Sequence, residues 1–98
     1  MRVIAKSKLV AYYTKQEDAK TALEDWYAKT VHAEWNNFAD VKQCFRSADL
    51  VGNKRIVFNI KGNQYRLVGL VLFKMKTVFI RFVGSHTEYD KITDIQNI

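Results

Sequence analysis

The chain has 98 residues, 48% of them apolar and 13% aromatic, which is enough side-chain surface for the core of a single domain spanning 1–98 and excludes a disordered segment. One cysteine, Cys44, excludes an intrachain disulfide, and no run is long and apolar enough for a signal peptide or a membrane span, so a reducing cytoplasm is the expected setting. The net charge of +6 is unevenly placed: residues 1–50 hold eight Lys/Arg against seven Asp/Glu, and residues 51–98 hold eight against three. A basic half of this kind suits a polyanion such as nucleic acid, or else a solvated surface kept for solubility.

Arg2 to Ala5 reads as a short edge strand, and Ser7 to Tyr13 as a short helix with Leu9, Val10 and Tyr13 on one side. Thr14 and Glu17 have capping-box spacing and are expected to open the longest helix, from about Lys15 to Glu34. Within it Ala19, Ala22, Leu23, Trp26, Tyr27 and Val31 recur at three- and four-residue steps, an apolar stripe that has to be covered. Asp25 and Lys29 form an outward pair at four-residue spacing. Asn37 caps a short helix from Phe38 to Phe45, with Val41, Cys44 and Phe45 inward. Arg46 to Asn53 reads as a loop.

From Leu50 to Thr87 there is no Asp or Glu, and the densest β-type runs of the chain fall here. Gly62-Asn63 reads as a hairpin turn that pairs Asn59 with Arg66 and Phe58 with Leu67. A second two-residue turn at Met75-Lys76 would oppose Phe73 to Val78 and Leu70 to Arg81. Alternation then sets Asn59, Arg66 and Arg81 on one face beside Val57, Val68 and Leu70. The other face carries Ile56, Phe58, Ile60, Tyr65, Leu67, Val71, Phe73, Val78, Ile80 and Phe82, all apolar or aromatic. The tail from Lys91 to Ile98 either frays or docks as a short element. The fold class is α+β, with N-terminal helices packed on one face of an antiparallel β-sheet.

No carboxylate pair stands at ligand spacing with His32, His86 or Cys44, and no Gly-rich phosphate loop occurs, so neither a metal nor a cofactor is expected. The cluster Ser85-His86-Thr87-Glu88-Tyr89-Asp90 closes the last strand. RNA cleavage suits such a set, because the 2′-OH of the RNA is itself the nucleophile. The protein then supplies a base, an acid and cations around the phosphorane. His86 and Tyr89 are the proton-transfer candidates, and Arg66 and Arg81 can grip phosphate bidentately. Lys54, Asn59, Lys61 and Asn63 are the expected RNA-binding residues around them. A non-catalytic RNA- or DNA-binding module using the same basic face is the alternative.

The series Val57-Phe58-Asn59-Ile60, Asn63, Tyr65-Arg66-Leu67, Phe79-Ile80-Arg81 and Gly84-Ser85-His86-Thr87-Glu88-Tyr89-Asp90 resembles the HigB toxin family of RelE-like ribonucleases. The resemblance extends over nearly the whole chain, including Ser47-Ala48-Asp49. It implies a metal-independent endoribonuclease acting on messenger RNA, typically at the ribosome. It also implies neutralisation by a helix-turn-helix antitoxin of the HigA type, with operator DNA bound only through that complex. Arg66 matches the phosphate-gripping arginine, His86, Tyr89 and Arg81 match the C-terminal active-site motif, and Asn59, Lys61 and Asn63 match the first strand and turn. A histidine stands at position 86 where RelE itself has an arginine.

Overall fold

In the computed structural model, which describes residues 1–98 throughout, the meander forms the middle of a five-stranded sheet. The elements in chain order are β1 (Arg2–Ile4), α1 (Lys6–Lys15), a 3-10 turn (Glu17–Ala19), α2 (Lys20–His32), α3 (Phe38–Cys44), β2 (Asp49–Gly52), β3 (Arg55–Ile60), β4 (Tyr65–Leu72), β5 (Thr77–Ser85), α4 (His86–Asp90) and a 3-10 turn (Ile95–Asn97). Spatial order is β1-β5-β4-β3-β2, antiparallel except where β1 runs parallel to β5 along its first three residues. The expected α+β architecture is present, and no helix is long and apolar enough to cross a membrane.

Helices cover one face because one face is apolar. Ile56, Phe58, Ile60, Tyr65, Leu67, Val71, Val78 and Ile80 are all buried there, with Leu9, Leu23, Trp26 and Val41 supplied from the helices. Phe58 is the hub. The ring of Trp26 meets it edge-on at 5.4 Å, Phe45 meets it at 5.3 Å, and Trp35 stacks at 6.2 Å. Asn37 caps α3 as its side chain predicts, accepting the Asp40 N–H at 3.0 Å.

Several sequence expectations are corrected. The short helix expected at Ser7 to Tyr13 is present as α1, but the longest helix, α2, starts at Lys20 and not at about Lys15: Gln16, with φ −121° and ψ 78°, leaves the helical region, and the 3-10 turn Glu17–Ala19 precedes α2. Thr14 caps nothing, because its hydroxyl donates back to the Val10 carbonyl at 2.6 Å inside α1. Asp49–Gly52 is a strand, not part of a loop. It is too short for its period to show, and it forms by pairing with β3. Cys44 is exposed, with its sulfur 3.4 Å from Trp35 Nε1.

The first hairpin has the expected register, Asn59 opposite Arg66 and Phe58 opposite Leu67, although its turn also takes four residues, 61–64, with positive φ at Lys61 and at Gly62. The second does not. Its turn takes four residues, 73–76, so Leu72 faces Thr77 and Leu70 faces Phe79. No Asn-Gly or Gly-Gly pair is available to close a two-residue turn there. A bulge follows, with Gly69 opposite Ile80 but Val68 opposite Phe82, which leaves Arg81 as the extra residue. Gly69 belongs at such a point, since a Cβ on it would stand 2.9 Å from Val78. The bulge reverses the alternation beyond it, so Phe82 joins the Arg66 face instead of the core.

Candidate active site

The face opposite the helices is organised around Arg66. Its direct neighbours across the sheet are Asn59 on β3 and Gly84 on β5. Gly84 has no Cβ for a reason: one built there would lie 2.5 Å from Cζ of Phe82. The Phe82 ring, turned onto this face by the bulge, therefore lies over Gly84, and it packs 6.3 Å from the ring of Tyr89.

Tyr89 is delivered by α4, whose start is fixed by a capping box. Ser85 Oγ accepts the Glu88 N–H at 3.0 Å, and Glu88 Oε1 accepts the Ser85 N–H at 2.8 Å. These bonds hold the Glu88 carboxyl below the usual carboxylate range, which commits it to the cap. The His86 N–H donates to the Gln64 carbonyl at 2.9 Å and ties α4 to the β3–β4 turn. One helical turn then brings Asp90 Oδ2 to 2.8 Å from His86 Nδ1. Both side chains are open to solvent, so the pair adds little to stability. Its consequence is orientation: with Nδ1–H given to Asp90, Nε2 is the nitrogen left free to take a proton.

The Arg66 guanidinium lies over the Tyr89 ring at 5.8 Å. It makes only long contacts, 3.4 Å to the carbonyls of Asn63 and Tyr65, and forms no ion pair, so its fork is available to a phosphate. Burial pushes the Tyr89 phenol above its ordinary value, and the carboxylates of Asp49 and Asp90 add to this against the opposing pull of Arg66. At neutral pH Tyr89 is thus a proton donor.

The other candidates scatter. Arg81, at the bulge, donates from Nε to the Ile98 carbonyl at 3.2 Å, and Arg55 reaches the same oxygen at 2.7 Å. Lys61 pairs at 3.3 Å with Asp18, which also accepts the Tyr65 hydroxyl at 2.6 Å, so its ammonium leans to the helix side. Asn59 and Asn63 stay beside Arg66. Lys54 lies before the opposite end of β3, roughly 20 Å from the turn at a rise of ~3.3 Å per residue, in a groove with Leu50 and Met75. Sequence reasoning missed Asp49, Phe82 and the partnership of Asp90 with His86. The four-residue spacing of His86 and Asp90 was the available signal for the last. Asp49 and Phe82 depended on β2 and on the bulge.

The model of a family described as HigB_toxin, RelE-like toxic component of a toxin-antitoxin system, matches residues 19–92. An mRNA interferase HigB from Escherichia coli O6:H1 is 25% identical over 95 residues, covering 95% of this chain and 92% of the relative. An mRNA interferase toxin HigB from Escherichia coli K12 is 42% identical over 43 residues, 44% of this chain and 41% of the relative, and an mRNA interferase HigB from Shigella flexneri gives the same figures.

Proposed function

The chain belongs to the HigB toxin family, the RelE-like toxic components of toxin–antitoxin systems, and on that premise we propose that it is an endoribonuclease that cuts messenger RNA by 2′-OH attack. The observation that carries the reading is the His86–Asp90 pair at 2.8 Å on the same short helix as Tyr89, whose ring lies under an Arg66 guanidinium free of ion pairs and whose phenol burial pushes above its ordinary value. Nε2 of His86 takes the proton from the 2′-OH as the O2′–P bond forms. Arg66 holds the non-bridging oxygens and stabilises the added charge of the phosphorane. As the P–O5′ bond breaks, the Tyr89 phenol gives its proton to the departing O5′, and water later restores it. The products are a 2′,3′-cyclic phosphate and a 5′-hydroxyl end. Asn59 and Asn63 flank the phosphate as hydrogen-bonding groups, and Arg81 adds positive charge at the edge of the site.

Its relatives are named mRNA interferases, which supports this substrate. The finer reading is that cleavage takes place in the cytoplasm on messages held by the ribosome, and that a HigA-type helix-turn-helix antitoxin neutralises it. The test is to induce the chain without antitoxin and map RNA 5′ ends. New 5′-hydroxyl ends inside translated messages, with growth arrest, are expected. Growth arrest without such ends would overturn the nuclease reading.

A further inference from the structure

Beyond Phe79 the outer edge of β5 has no strand beside it, because β1 pairs only with Thr77, Val78 and Phe79. Helix α1 runs along that edge instead, and Lys8, Ala11, Tyr12 and Lys15, at i, i+3, i+4 and i+7, turn one stripe toward it. Between them lies an open groove of about 430 Å³, with Arg81 and Phe82 on its far wall. Three cations line it, and no carboxylate does. Neither Lys8 nor Lys15 is in an ion pair, while Lys29 and Lys61 elsewhere on the surface each are. Lys8 is held in position by the Ile80 carbonyl at 3.1 Å and keeps two N–H groups free. Arg81 uses only Nε on Ile98 and keeps its terminal N–H groups.

The groove is continuous with the site. Phe82 forms its wall and also touches Tyr89, and the Tyr12 hydroxyl at its end reaches Glu88 Oε1, the capping carboxylate of α4, at 3.5 Å. Cations interleaved with two aromatic rings are the chemistry of a single-stranded nucleic acid path, in which phosphates follow the cations and bases stack on the rings. Resting on the reading that the His86 site cleaves RNA, we infer that this α1–β5 groove binds the single-stranded RNA that continues from the scissile phosphate past Phe82. An acidic peptide would use the cations but not the rings set between them.

The test uses the whole chain and a single-stranded RNA oligonucleotide made uncleavable by a 2′-deoxy residue at the cut site, so that binding is read separately from cleavage. Lys8→Gln/Lys15→Gln is expected to bind about tenfold more weakly, with a salt slope reduced by about 1.4, at ~0.7 per single-stranded phosphate contact. Lys8→Arg/Lys15→Arg is expected to restore the slope. With a ribosome-bound message as the substrate, KM should rise while kcat stays within about twofold, since neither lysine touches the reacting atoms. Wild-type affinity and slope in the Gln variant would overturn the inference. So would a loss confined to antitoxin binding, which would make the groove a protein-docking surface. A wild-type protein that binds the oligonucleotide through these lysines but cleaves no RNA would defeat the nuclease reading alone.

Discussion

The two faces of the sheet are made from the same strands, yet they are fixed by different means. On the helix side, alternation along β3 and β4 suffices: every second residue is apolar, and Trp26, Phe45 and Trp35 close around Phe58. On the Arg66 side, position depends on exceptions to alternation, namely a bulge at Arg81, a missing Cβ at Gly84 and a capping box at Ser85. Many residues share the work of the first face, so its failure is a loss of stability. The second aims a few side chains, so small changes there should damage chemistry first.

The largest effect is expected from breaking the helix side. Trp26→Ala removes a ring that is 1% exposed and should cost roughly 3–5 kcal/mol in a denaturant melt. An unchanged midpoint would mean the core does not depend on this contact. On the other face, Arg66→Ala should leave the melt within ~0.5 kcal/mol, as for surface changes, and lower cleavage roughly 10²–10³-fold. Arg66→Lys should rescue only part of this, because the bidentate fork is lost. Arg81→Ala should cost less than Arg66→Ala, since Arg81 sits at the bulge with one nitrogen on Ile98. Equal losses would place both arginines on the same phosphate.

Gly84→Ala sharpens the contrast between the faces. The added methyl meets Phe82 and must displace its ring, which should cost roughly 1–3 kcal/mol. Cleavage should fall by more than that shift accounts for, because Tyr89 packs on Phe82. A variant with wild-type cleavage would show that Phe82 does not position Tyr89.

The smallest effect is on acid stability. The hydrogen bond from Tyr65, and then Lys61, hold the Asp18 carboxyl below its ordinary value, as the Ser85 backbone bond does for Glu88. A carboxylate with a depressed folded pKa stabilises the fold above its unfolded value and loses that contribution as pH falls through the folded one. Tm should therefore be flat from neutral pH to about 5 and decline below, from the ordinary carboxylate range of ~3.9–4.3 downward. Asp18→Asn should flatten part of that decline, and an identical acid limb would remove Asp18 from the account.

Much of the helix side was legible in the sequence, because the Gly62-Asn63 turn, the apolar stripe through Leu23 and Trp26 and the Asn37 cap are local signals. Thr14 misled because its hydroxyl had a nearer acceptor in Val10. The residues proposed for the site, His86, Tyr89 and Arg66, could be named from residue type and position. Their mutual aim was not. It depends on the bulge, which lies where Gly69 leaves room for Val78 across the sheet, a contact between strands that no local pattern encodes. β2, and with it Asp49, forms only by pairing with β3.

Single-turnover cleavage of a ribosome-bound message by wild type, His86→Ala and Tyr89→Phe tests the central claim most directly. A proton-transfer residue is worth roughly 10²–10⁴-fold in rate, so His86→Ala should lose at least about a hundredfold while keeping its melt and its antitoxin binding. Tyr89→Phe should retain binding and lose the step that protonates O5′. If His86→Ala cleaves within about twofold of wild type, far short of that loss, His86 is not the base and the reading of the His86–Asp90 pair is wrong.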